Sequence, residues 1–232
     1  MENLPIYIAA TFGFTVLLAI WLFIKAAHFS KPFLFFLLAL IIIQSALGLS
    51  GFYSDLQTMS TRFPLLVMPL MVPLISLFFI RQGKAFIDSL DIKTLTVLHT
   101  IRIPVEIVLF WLFVHHAIPQ AMTFEGRNFD ILSGLSALLI YYFGFIKKQL
   151  SRTWMIIWNV ICMLLLINVV SNAILSLPSR FQSFGFEQPN IAVGYFPFLL
   201  LPAILVPLVL FANAASIRQL ILNKSIGVKN LK

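Results

Sequence analysis

The sequence predicts an all-α fold, a bundle of seven transmembrane helices with the N-terminus outside and the C-terminus in the cytoplasm. Three observations carry that prediction. The 232 residues are 60% hydrophobic and 10% charged, with a mean hydropathy of +1.00, which is the composition of a polytopic membrane protein and not of a soluble domain. A spanning helix needs about 20 apolar residues, and seven stretches approach or exceed that, roughly 6–26, 32–53, 63–80, 93–117, 129–146, 153–177 and 194–216. Lysine and arginine, which collect on the cytoplasmic side, fall in alternate loops. Lys25, Lys31, Arg81, Lys84, Lys93, Lys147, Lys148, Arg152, Arg218, Lys224, Lys229 and Lys232 make 12 on one side, against the 3 residues Arg62, Arg127 and Arg180 on the other.

The net charge of +8 is therefore a topology signal, not a mark of nucleic-acid binding. Attraction to anionic lipid headgroups is a secondary expectation. The loops are short, so residues 1–232 read as one transmembrane domain. The opening Met1-Glu2-Asn3-Leu4-Pro5 has no basic region, so the first span is expected to be retained and not cleaved as a signal peptide. Trp21, Tyr53, Trp111, Tyr141, Trp154 and Tyr195 fall near span ends, where aromatic side chains anchor helices at the interface.

The second span carries Gln44. The third, Phe63-Pro64 to Val72-Pro73, holds three prolines, and the seventh, Phe196-Pro197 to Val206-Pro207, aligns its own three with them across a one-residue gap. The spans just before them share a theme in Gln44-Ser45-Ala46-Leu47 and Asn172-Ala173-Ile174-Leu175. One reading is a 3+1+3 parallel repeat, as in transporters whose site lies at the repeat interface. The other is chance, because proline and leucine are common in membrane helices. On either reading each proline frees a carbonyl one turn earlier, and such backbone survives at depth only beside protein or a polar cavity. After the third span, residues 83–91 read as a short amphipathic helix with Ala85, Phe86, Ile87 and Leu90 toward lipid.

The fourth span contains the costliest residues of the chain, His99, Arg102 and Glu106, with Pro104 among them. A charge at the centre of a membrane helix costs roughly 2.5–3.5 kcal/mol on insertion scales. Arg102 and Glu106 are four apart and placed to pair on one helix face, and His99, seven from Glu106, falls on that face too. The group reads either as a buried structural pair or as the polar wall of a solute or proton pathway. Pro104 is expected to kink the helix.

Beyond the fourth span, the outer loop is dense in polar residues, with Glu125, Arg127, Asn128 and Asp130. Glu125, Arg127 and Asp130 are placed to pair with one another. Asp130 also stands at the N-cap of the fifth span, where an anion is favoured. The loop could otherwise form an outward lid. In the sixth span Asn168 and Asn172 share a face, and Asn159 lies on roughly the opposite side. These amides, with Gln44 and Asn213, either bond between helices or line a pathway.

Enzyme and cofactor signatures are weak. Cys162, the single cysteine, lies within a span, so no intrachain disulfide or cysteine metal site is expected. His99 and Glu106 stand about 10.5 Å apart along the axis, too far for one metal, and adjacent His115 and His116 diverge by about 100°. No metalloprotease, EF-hand or phosphate-loop motif occurs. A two-histidine haem lacks its second mid-depth histidine, and a retinal site lacks a lysine in the last span. No cofactor is expected.

The segments His99-Thr100-Ile101-Arg102-Ile103-Pro104-Val105-Glu106, Phe124 to Gly134, Trp158-Asn159, and the closing Phe196-Pro197 to Val206-Pro207 run resemble a family of uncharacterised bacterial integral membrane proteins. The resemblance covers most of the chain from about the second span onward. It implies a bacterial inner (cytoplasmic) membrane and carries no activity with it. The last span of that family often has histidine where this chain has Asn213. The expected function is binding, and transport, of a small solute, anionic or proton-coupled, at a site around the fourth helix. The alternatives are an assembly subunit with a structural Arg–Glu pair and, third, an enzyme acting on a lipid. Expected partners are membrane lipids, the solute, and a second copy or another subunit.

Overall fold

The computed structural model describes residues 4–222. The opening Met1-Glu2-Asn3 and the basic residues Lys224, Lys229 and Lys232 lie outside the described residues. Among the described residues there is no strand. Eight helices follow one another: α1 (Ile6–Ala26), α2 (Lys31–Leu49), α3 (Met59–Ser76), α4 (Arg81–Ser89), α5 (Ile92–Val114), α6 (Ile131–Ile146), α7 (Arg152–Leu175) and α8 (Leu201–Ile221). Six of them are long and apolar enough to cross a membrane, and α6 is a shorter apolar helix. The chain is thus a multi-pass membrane protein.

The bundle is built around α8, of which 67% is buried, against 17% for α2 and 22% for α3. Helices α5 and α7 pack on α8, and α1 packs on α5. Phe12 and Phe23 of α1, Leu95 and Leu98 of α5, and Ile204 and Leu208 of α8 are fully enclosed in the shared core. By contrast α2 and α3 stand at one flank, with Phe35, Ile42, Leu65 and Val72 more than half exposed. Side chains of this kind are stable there in contact with lipid.

Prolines set the local irregularities. In α5 the helix tightens to a 3-10 turn over His99–Ile101 before resuming at Arg102. Pro104 lacks an N–H and its ring excludes the carbonyl of Thr100, so the preceding turn adjusts. In α8, which carries Pro202 and Pro207, Leu201–Leu205 widens to a π-helix. Helix α3 stays α-helical through Pro64, Pro69 and Pro73. The carbonyl of Leu65, freed by Pro69, accepts from Gln44 Nε2 at 3.1 Å. Tyr53 in turn donates to Gln44 Oε1 at 2.8 Å. The aligned prolines of the third and last spans therefore sit in different backbones.

Two expectations are corrected at the end of the bundle where α4 lies. Helix α4 forms, but Ile87 and Leu90 face protein and not lipid, and Phe86 stacks on Phe33 at 5.7 Å. The last helix starts at Leu201 and reaches Ile221, later at both ends than 194–216. Its polar final turn bonds to α4 and the residue after it. Arg218 Nε pairs with Asp88 at 2.9 Å, and Gln219 Nε2 donates to the carbonyls of Ile87 and Leu90. Hydropathy alone therefore ended this helix too early.

Candidate ligand-binding site

Charge at mid-bundle is arranged across three segments. The Arg102 guanidinium pairs with Asp130, at the start of α6, and not with Glu106 one turn along its own helix. The expected Arg–Glu pair is thus corrected to an Arg–Asp pair. Arg102 Nη1 also donates to the carbonyl of Cys162 in α7 at 3.1 Å. Both members of the pair are buried, with Arg102 3% and Asp130 4% exposed. In such surroundings a guanidinium is stable only when paired and hydrogen-bonded.

Local geometry brings Asp130 to Arg102. The loop after α5 folds inward through turns at Thr123 and Gly126, so Asn128 and Asp130 are buried while Phe129 between them is exposed. Gly134, one turn into α6, lies against α5. A Cβ there would come within 2.8 Å of Ile103 Cγ1. Asp130 stands at the expected N-cap position of α6, but no main-chain N–H of the helix bonds to its carboxylate. The Ser133 hydroxyl donates to that carboxylate at 3.2 Å. The anticipated pairing within the outer loop is also replaced: Glu125 is exposed, and the Arg127 guanidinium lies 5.6 Å from the Phe184 ring centre.

Glu106 is held by a neutral partner. Asn128 Nδ2 donates to Glu106 Oε1 at 2.6 Å and to the Met122 carbonyl at 3.0 Å. Asn128 Oδ1 accepts the Asp130 main-chain N–H at 2.9 Å. A continuous hydrogen-bonded chain therefore runs from Glu106 through Asn128 and Asp130 to Arg102. The other oxygen of Glu106, Oε2, is buried and has no partner among the described residues.

Glu106 and Asp130 are on the wall of a cavity of about 460 Å³ between α3, α5, α7 and α8. The rest of the wall is mainly apolar, with Val67 and Met71 from α3, Leu166 and Val169 from α7, and Val206 from α8. The volume lies in the range of small-molecule sites, and so does the pattern of many apolar groups with a few polar ones. Met68, Ile167 and Ile174 belong to the wall and are also 50%, 49% and 42% exposed. The cavity thus opens sideways between α3 and α7, onto the apolar flank of the bundle.

The remaining polar residues go elsewhere. His99 packs edge-on against Trp158 of α7 at 5.4 Å and is not part of the cavity wall. His99 and Asn213 are fully buried, and neither ring nor amide has a partner among the described residues. Asn159 Nδ2 donates to the Met155 carbonyl at 2.8 Å, within its own helix. Asn168 Nδ2 donates to the Arg127 carbonyl at 2.7 Å and so ties the loop before α6 to α7, while Asn172 bonds weakly to Asn168 within α7. Gln44 serves the proline helix α3, as described above. None of these residues lines the cavity. Among the described residues no three of His, Cys, Asp and Glu meet in a way that could hold a metal ion.

Sequence comparison places this arrangement in a family. No curated protein and no solved structure matches the chain. The family described as "Domain of unknown function (DUF8737)" matches residues 64–221, more than half of the chain. That stretch runs from the first turns of α3 to the end of α8, and so includes Glu106, Asn128, Asp130, Arg102 and nearly all of the cavity wall. The chain belongs to the DUF8737 family.

Proposed function

We propose that the protein is a seven-span bacterial inner-membrane protein, N-terminus out, that binds a small solute in the cavity between α3, α5, α7 and α8 and carries it across the membrane. The observation that supports this reading best is the placement of Glu106. A buried carboxyl with one free oxygen stands on the wall of a cavity that is otherwise largely apolar. Groups of this kind inside membranes mark substrate or proton pathways by default. Glu106 is also the group through which solute and proton would exchange. Asn128 orients it, and the Arg102–Asp130 pair holds α5, α6 and α7 in place around it.

Native mass spectrometry of the protein in mild detergent, beside Glu106→Gln, tests this. The expected result is a small molecule retained by the parent protein and lost from the variant, with the fold unchanged. Equal retention by both, or bare protein in both, refutes the role of Glu106. The competing reading is an assembly subunit. The sparse burial of α2 and α3 favours it, and a second polypeptide in fixed ratio in the same spectra would support it.

A further inference from the structure

The charges around the cavity do not balance, and the imbalance says what the ligand carries. Arg102 is engaged by Asp130 and is not part of the cavity wall. The charged groups that do reach the wall are both acidic, Glu106 and Asp130. Asp130 has its cation. Glu106 meets only the amide of Asn128, and its Oε2 has no partner among the described residues. A carboxylate buried without a cation is costly, and a ligand that brings one removes the cost.

An anionic ligand would face two acidic side chains and no guanidinium. A neutral alcohol would satisfy Oε2 but bring no counter-charge. A protonated amine does both, since its N–H donates and its charge compensates. The rest of the wall asks for an apolar body. Met68, Met71 and Met122 supply soft, adaptable contacts, suited to bodies of more than one shape. The sideways opening between α3 and α7, bordered by half-exposed Met68 and Ile167, lies on the apolar flank of the bundle. Resting on the binding reading above, we infer that the cavity takes a lipophilic amine, drawn from the membrane between α3 and α7, with its ammonium on Glu106.

Three probes with one body and different heads test this: dodecylamine, dodecanol and dodecanoate, titrated against the protein in nanodiscs at pH 7. Dodecylamine is expected to bind about tenfold or more tighter than the other two, the scale of one desolvated charge-assisted hydrogen bond. Glu106→Gln removes that preference, and Glu106→Asp keeps most of it. Met71→Trp, which fills the cavity without touching a charge, weakens all three probes. Equal affinity for the three heads, or a preference for dodecanoate, overturns the amine inference and leaves the binding reading standing. A preference for dodecylamine that survives Glu106→Gln also overturns it. Failure of every probe to bind overturns both.

Discussion

Replacing Asp130 with asparagine removes one charge and almost no volume. Arg102 then keeps the Cys162 carbonyl but loses the carboxylate it is paired with, in a site where it is 3% exposed. Breaking a buried pair from one side costs about 3–5 kcal/mol, because the remaining charge stays buried. For a chain of this size each kcal/mol shifts the melting temperature by about 2–4 °C, so Asp130→Asn should lower it by about 6–20 °C. Glu106→Gln is the contrasting variant. Its amide oxygen still accepts from Asn128, and its amide nitrogen takes the place of the unpartnered Oε2. Its effect should stay within about 1 kcal/mol. Replacing both partners with apolar residues of similar size, Arg102→Met with Asp130→Leu, should restore most of what either single change loses. The assay is tryptophan-fluorescence or scattering-detected melting in one detergent, across Asp130→Asn, Glu106→Gln, Arg102→Met, Asp130→Leu, the double variant and the parent. If Glu106→Gln destabilises as much as Asp130→Asn, Arg102 is paired with Glu106 and the network described here is wrong. If Arg102→Met and Asp130→Leu are additive, the two residues do not interact.

Other outcomes follow from the same structure. His99→Phe should be neutral or stabilising in the same melts, because a ring remains against Trp158 while two unpartnered buried nitrogens are removed; a loss above about 2 kcal/mol would show that the imidazole has a partner. Gln44→Leu should loosen α3, seen as faster hydrogen exchange around Pro69, since the Leu65 carbonyl loses its donor, at a cost of about 1–3 kcal/mol. For orientation, single cysteines at Glu125 and Lys84, in a Cys162→Ala background, should react with an impermeant maleimide from outside and inside the cell respectively. The reverse pattern refutes the basic-side assignment.

Much of the helix plan was legible because hydropathy and proline act locally. The apolar runs of α1, α2 and α7 end where the sequence turns polar or basic, and the helices end nearby. The last helix escaped because Arg218 and Gln219 look like a terminus until α4 folds beneath them. Helix α4 was misread in the same way: its moment is real, but the apolar side found α2 and α8 instead of lipid. In the site, Glu106 stood out as a charge at depth. Its true neighbours did not, because Asn128 and Asp130 belong to a loop and nothing local tells that a loop folds inward. A weak signal existed: polar residues at 128 and 130 flank apolar Phe129, the alternation of an extended stretch with one buried side. The contact of His99 with Trp158 was not legible, since the sequence does not say which helix packs against that turn.

The short helix α6 has a consequence for the membrane itself. Its 10 α-helical and 6 π-helical residues rise at most about 24 Å, while a hydrocarbon core is about 30 Å thick. On the seven-span reading proposed above, a wall about 6 Å short would be met by thinner lipid or by the loop before α6 standing in for it, at fractions of a kcal/mol per Å. Asp130 is at that short end. Acyl-chain length therefore sets how far the water boundary lies from the Arg102–Asp130 pair. Bilayers of short-chain lipid should suit this protein, and long-chain, sterol-rich ones should strain α6 first.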